Sequence, residues 1–190
     1  MNRSKSLIAF TLALTLMLAG APVSAMMVAG VKFESQKRVH DQELELRGAG
    51  ILKYMVFIKA YAGALYLPED VPSELALSDV PKMLEVEYFH ALKGKDFGPA
   101  TIEGMSKNVD EETMNALQEQ IALHNSLYVD VEPGDRYSLY YTPGHGTVLA
   151  LNGKPMGTIK GADFAAALFS IWLGPNPADA KFKTALLGQP

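Results

Sequence analysis

The stretch from Leu46 to Pro68 constrains the fold more than any other, because two closely spaced glycines feed a long apolar, aromatic-rich run with strand periodicity. Gly48 and Gly50 can take positive φ or let another backbone come close, so they suit a bend or bulge where one strand hands over to the next. The run beyond them is too long for one average strand, and the small residues from Ala60 to Ala64 place a kink within it. At period two, Lys53, Met55, Phe57, Lys59 and Tyr61 share one face, and Tyr54, Val56, Ile58, Ala60 and Ala62 share the other. The second face is core. The first alternates cationic heads with apolar bodies and ends on a phenol, which suits a cleft for an apolar molecule with one anionic end. It equally describes a solvated face whose lysine stems lie over their neighbours. A bulge between Lys53 and Tyr61 would break the shared parity.

The start of the chain is not part of the fold on this reading. Asn2-Arg3-Ser4-Lys5 supplies positive charge, Leu7 to Leu18 an apolar core, and Ala21-Pro22-Val23-Ser24-Ala25 a small-residue ending. That is the pattern of a secretory signal peptide, residues 1–25, cleaved after Ala25 to leave 26–190 as one exported domain in the periplasm. The apolar run falls short of the ~20 residues a membrane span needs. With no cysteine in the chain, the exported fold does without disulfides, and lipid attachment through a cysteine is excluded. A formal net charge of −4 offers no basic face for nucleic acid, and 48% hydrophobic content argues against disorder.

The remaining chain reads as α+β. Val28 to Phe33 and Gln42 to Arg47 are strand patterns, and Met83 to Leu92 is another, with Leu84, Val86, Tyr88 and His90 of one parity and His90 therefore inward. Lys95 to Lys107 has helical spacing; Asn108 to Glu111 then caps a helix carrying Met114, Leu117 and Ile121. Strands from Arg136 to Thr142, Thr147 to Leu151 and Lys154 to Lys160 form a meander, with Asn152-Gly153 as a type I′ turn. Phe164, Leu168, Ile171 and Trp172 form the stripe of a helix that buries Trp172 under the sheet, and a last helix runs from Pro177 to Leu187.

Among the usual catalytic motifs, no nucleophile elbow, zinc-protease helix or phosphate-binding glycine loop is present. The four histidines have no metal-ligand spacing, so neither metal nor cofactor is expected.

Gly48-Ala49-Gly50 followed by Phe57 to Pro68, the segment Leu151 to Ile159, and Phe164 through Ile171-Trp172-Leu173-Gly174-Pro175-Asn176-Pro177 to Gly188 together carry a resemblance. In these motifs, in matching order, the chain resembles the bacterial chalcone isomerase-like family. The resemblance implies an open-faced β-sandwich: a large antiparallel sheet with helices packed on one face and a ligand cleft between them. It also implies two functions, an isomerase (an intramolecular lyase) that closes a chalcone to a flavanone, and fatty-acid binding without a reaction. Both rely on an arginine shortly after the glycines. Here that position falls on Leu52 counted from Gly50, or on Lys53 counted back from Lys59, and Tyr61 stands where the isomerase has threonine. Lysine is a point charge without the guanidinium's planar fork, so binding survives the change better than oriented catalysis does. The expectation is an exported, non-catalytic binder of a fatty acid or similar apolar anion, with Lys53, Lys59, Tyr61, Met55 and Phe57 as contacts. Chalcone isomerisation and a structural or partner-binding periplasmic role are the alternatives.

Overall fold

The computed structural model describes residues 25–54 and 58–189; the expected leader up to Ser24, and Met55 and Phe57 of the expected ligand face, lie outside the described residues. Strands β1 (Ala25–Val28) and β2 (Val31–Glu34) form a separate two-stranded hairpin. The seven strands β3 (Gln36–Val39), β4 (Gln42–Tyr54), β5 (Ile58–Leu67), β6 (Lys82–Tyr88), β7 (Arg136–Thr142), β8 (Gly146–Leu151) and β9 (Lys154–Ile159) make one sheet, in chain order, with every neighbouring pair antiparallel. Helices α1 (Gly94–Ser106), α2 (Glu111–Ala116) and α3 (Gln118–Ser126) lie between β6 and β7, and α4 (Ala162–Leu173) and α5 (Ala180–Leu186) follow β9. The main core lies between one face of the sheet and α1, α3, α4 and α5, as expected for an open-faced sandwich. A smaller core on the opposite face holds Phe33, Leu44, Ala64 and Tyr66 under the β1–β2 hairpin.

Several boundaries differ from the sequence reading, each for a local reason. The first strand pattern is a hairpin whose turn puts Ala29 (φ 51°) and Gly30 (φ 90°) in the left-handed region, a conformation that alanine does not advertise. The long run from Leu46 is two strands: Tyr54 pairs with Ile58, so the chain reverses between them, and the kink expected at Ala60 to Ala64 is a bulge at Ala60. His90 is exposed, because β6 ends at Tyr88 before the alternation reaches it. The helix after Asp110 is interrupted at Leu117, where ψ reaches 6°, although hydrogen bonds from Leu117 to Thr113 and from Ile121 to Leu117 carry the helical ladder across. The final helix starts at Ala180, not Pro177, since Asp179 caps it by accepting from the Phe182 N–H at 2.7 Å. The Asn152-Gly153 turn is as expected, with φ of 51° and 78°.

Two devices hold the layers. On the hairpin side, Glu85 is only 4% exposed and meets Lys37 at 3.3 Å and Arg136 at 3.4 Å; Arg136 also bonds the Lys32 carbonyl and lies over the Phe33 ring. Such a buried carboxylate is tolerable only because cations flank it. On the helix side, α5 sits against β4 and β5 at Gly48, Gly50 and Gly63. A Cβ at Gly48 would run into the Ala185 carbonyl and stand 2.8 Å from the Gly188 nitrogen; one at Gly63 would stand 2.7 Å from the Phe182 ring. Neither Gly48 nor Gly50 has positive φ, so close approach, and not turn geometry, is what these glycines serve.

Gly48→Ala should therefore cost about 3 kcal/mol, at the upper end of overpacking penalties, because backbone atoms cannot swing aside. Thermal unfolding should show the midpoint lowered by roughly 6–12 °C; an unchanged midpoint would mean that α5 does not seat there.

Candidate functional site

Between the helix-facing side of the sheet and helices α1 and α4 lies a half-open cavity of about 500 Å³, inside the ~300–1,000 Å³ range of small-molecule sites. Its floor comes from alternate residues of adjacent strands: Leu84, Val86 and Tyr88 on β6, Tyr137 and Leu139 on β7, Leu149 on β8. The roof is Phe97, Ala100, Thr101 and Gly104 of α1 with Ile171 and Trp172 of α4. Aromatic rings set the walls. Phe97 stacks on Tyr128 at 4.8 Å between centroids, and Tyr88 meets Tyr61, Phe97 and Tyr137 edge-on.

Of the residues singled out in the sequence, Lys53 and Tyr61 line this cavity; Lys59 does not, and is exposed beyond its rim. The reason is a β-bulge. Leu52 pairs with Tyr61 and Lys53 with Lys59, so one step on β4 opposes two on β5 and Ala60 is the extra residue. Strict alternation would send Leu52 and Lys53 to opposite faces, but the added local twist lets both line the cavity. Among the described members of the expected ligand face, Lys53, Lys59 and Tyr61 therefore do not share one continuous face.

Lys53 is exposed and has no ion pair among the described residues, while it stands directly across the ladder from Lys59. Like charges so placed repel, and an anion between them relieves that repulsion. The other lysine at the mouth, Lys107, is neutralised by Glu103 at 2.7 Å. Tyr61 accepts a hydrogen bond from Trp172 Nε1 at 2.8 Å, which leaves its own proton uncommitted. Burial pushes its phenol well above the ordinary value, so Tyr61 is a neutral donor at physiological pH and not a base. Trp172 is half-buried, in place of the full burial expected, because its indole forms cavity wall.

Sequence reasoning missed most of the wall. Tyr88 had the right inward parity, but nothing in its pattern separates a cavity-facing ring from a packed one. Tyr128 lies in no periodic element, and its hydroxyl sits 2.9 Å from Nε2 of His124, which is wholly buried on α3. His124 Nδ1 has no partner among the described residues, and burial lowers the imidazole to about pH 4. A second buried basic group, Lys82, is not part of the cavity: it donates to the Ser78 carbonyl at 2.6 Å between the Tyr141 and Phe169 rings, and burial lowers it to about 8. Among the described residues, no group of three or more acidic, histidine or cysteine side chains could hold a metal.

A family model described as chalcone isomerase-like matches residues 25–188. Among solved structures, the crystal structure of a fatty-acid binding protein from Arabidopsis thaliana superposes with a TM-score of 0.69 at 16% sequence identity, covering 87% of this chain and 96% of that one. No curated protein matches.

The buried histidine gives the site a measurable acid limit. In the unfolded chain His124 takes a proton below about pH 6.5, whereas the folded protein resists until about 4. Between those values the unfolded state binds more protons, so stability falls as pH is lowered, by roughly 2–3 kcal/mol at pH 4.5, and is unaffected by this group above 6.5. Urea titrations at pH 7 and 4.5 should show His124→Gln losing that much less than the wild type; equal losses would place the imidazole in contact with solvent.

Proposed function

The chain belongs to the chalcone isomerase-like family, and from that premise we propose that it is a non-catalytic carrier of a fatty acid or similar apolar anion, exported to the periplasm by its N-terminal leader. The observation that supports this most is the cavity itself: about 500 Å³ of mainly apolar and aromatic wall with one unneutralised lysine, Lys53, at its mouth. An acyl chain fits such a wall without needing oriented polar partners, and a carboxylate meets Lys53 where the bulge turns it inward. The fold of the Arabidopsis fatty-acid binding protein accords with the same reading.

Chalcone closure needs more than this site offers. No arginine lines the cavity among the described residues, so no planar fork fixes a phenolate. Tyr61 keeps its proton, so it has no basic form to draw one from a substrate hydroxyl. No helix among the described residues is long and apolar enough to cross a membrane.

Mass spectrometry of an organic extract of the purified protein should find an apolar acid near one equivalent, and the exported form should begin at or near Met26. Lys53→Met should weaken fatty-acid binding by about fivefold, roughly 1 kcal/mol, with the difference shrinking at high salt, because Lys53 is exposed and its attraction is screened. Unchanged affinity in that variant would make Lys53 a solvated lysine. Saturable turnover of a chalcone would replace the carrier with an enzyme.

A further inference from the structure

The cavity contains two hydrogen-bonding groups that a plain fatty acid leaves idle. Tyr88 is 7% exposed, lines the cavity, and its hydroxyl bonds to no group among the described residues, yet it is not sealed in protein: it opens into the cavity. Tyr61 lies beside it as its cross-strand partner on β5, with ring centroids 5.6 Å apart, and retains a free proton because the Trp172 N–H occupies it as an acceptor. The other two phenols are taken. Tyr137 exchanges hydrogen bonds with both the N–H and the carbonyl of Val129, and Tyr128 is held by His124.

Leu52, Tyr61 and Tyr88 pair in a row across β4, β5 and β6, and Lys53 is one residue farther toward the end of the hairpin where Tyr54 pairs with Ile58. One strand residue is ~3.3 Å, so the two free phenols stand just inside the lysine, at the depth reached by the first few carbons behind a carboxylate held there. When an alkyl chain fills the cavity and expels water, both phenols lose their partners, and an unsatisfied buried hydroxyl is penalised; a ligand oxygen at that depth restores the bonds.

Resting on the carrier reading, we propose that the acid this cavity selects bears a second oxygen, a hydroxyl or keto group, within the first few carbons of its carboxylate, received by the Tyr61 and Tyr88 hydroxyls. The bonds are hydrogen bonds only. Burial holds both phenols in their protonated form, so both remain donors.

The test is calorimetric titration of the delipidated full chain with tetradecanoic acid, 3-hydroxytetradecanoic acid and an isomer hydroxylated at the far end of the chain. The 3-hydroxy acid should bind about tenfold more tightly than either of the others. Tyr88→Phe keeps the ring and removes only the hydroxyl, so the ratio of the 3-hydroxy acid's affinity to that of tetradecanoic acid should fall most of the way to one, with the thermal midpoint confirming an intact fold. Equal affinities in the wild type, a preference that survives in Tyr88→Phe, or one shared by the far-end isomer would each overturn this inference while leaving the carrier reading standing. Binding of none of the three acids would overturn both.

Discussion

The seating of α5 against a glycine-lined strip of β4 and β5 is the contact on which the site depends. Only hydrogen atoms at Gly48, Gly50 and Gly63 let the helix backbone come so close. That depth brings Phe182 edge-on to Tyr61 at 5.6 Å and closes one end of the main core. From the other side Trp172 of α4 reaches the same phenol. Tyr61 is therefore gripped by two helices on a strand that a bulge has already twisted, and its free proton is aimed by that grip.

The cavity stays open for a related reason. Helices α1 and α4 meet closely where Gly104 faces Ile171, and rigid aromatic rings, not flexible aliphatic chains, prop the space between helix and sheet. Edge-to-face rings favour centroid spacings of about 4.5–7 Å and resist collapse into one another. The polar ends of those rings are accounted for one at a time: Tyr137 by the Val129 backbone, Tyr128 by His124, Tyr61 in part by Trp172, Tyr88 by nothing among the described residues. Charge is sparse by comparison. The strongest ionic cluster, around Glu85, lies on the far face of the sheet, where it fastens the first hairpin and leaves the ligand side apolar.

Much of the fold was legible because local chemistry and tertiary need agree. Alternation in β6, the Asn152-Gly153 turn, the acidic cap at Asp110 and the stripe of α4 each say locally what the sheet and core require. Legibility fails where they part. The reversal between Tyr54 and Ile58 has no glycine, proline, asparagine or aspartate to announce it, so the run reads as one strand. The bulge at Ala60 falls at the edge of the small-residue cluster read as a kink, but nothing in that cluster fixes which residue is left unpaired, and that choice is what separates Lys53 from Lys59. Gly48 and Gly50 were marked as special, with close approach among the reasons, but a helix arriving from more than a hundred residues away cannot be seen in them. Of the cavity wall, Lys53 and Tyr61 stand out in the sequence by charge and parity. Tyr88 and Trp172 read as core, since whether an inward aromatic packs or lines a void depends on the opposite layer, and Tyr128 lies in no periodic element.

On the proposed reading, an acyl acid occupies the space beneath β6 and β7 with its carboxylate toward the end of the β4–β5 hairpin where Tyr54 pairs with Ile58. A crystal structure of the full chain saturated with tetradecanoic acid tests it most directly. The expected result is a chain running along Val86 and Leu139 under Phe97 and Ile171, with a carboxylate oxygen within hydrogen-bonding reach of Lys53. An empty cavity with the acid elsewhere, or a carboxylate buried at the opposite end beyond Leu149, would contradict it.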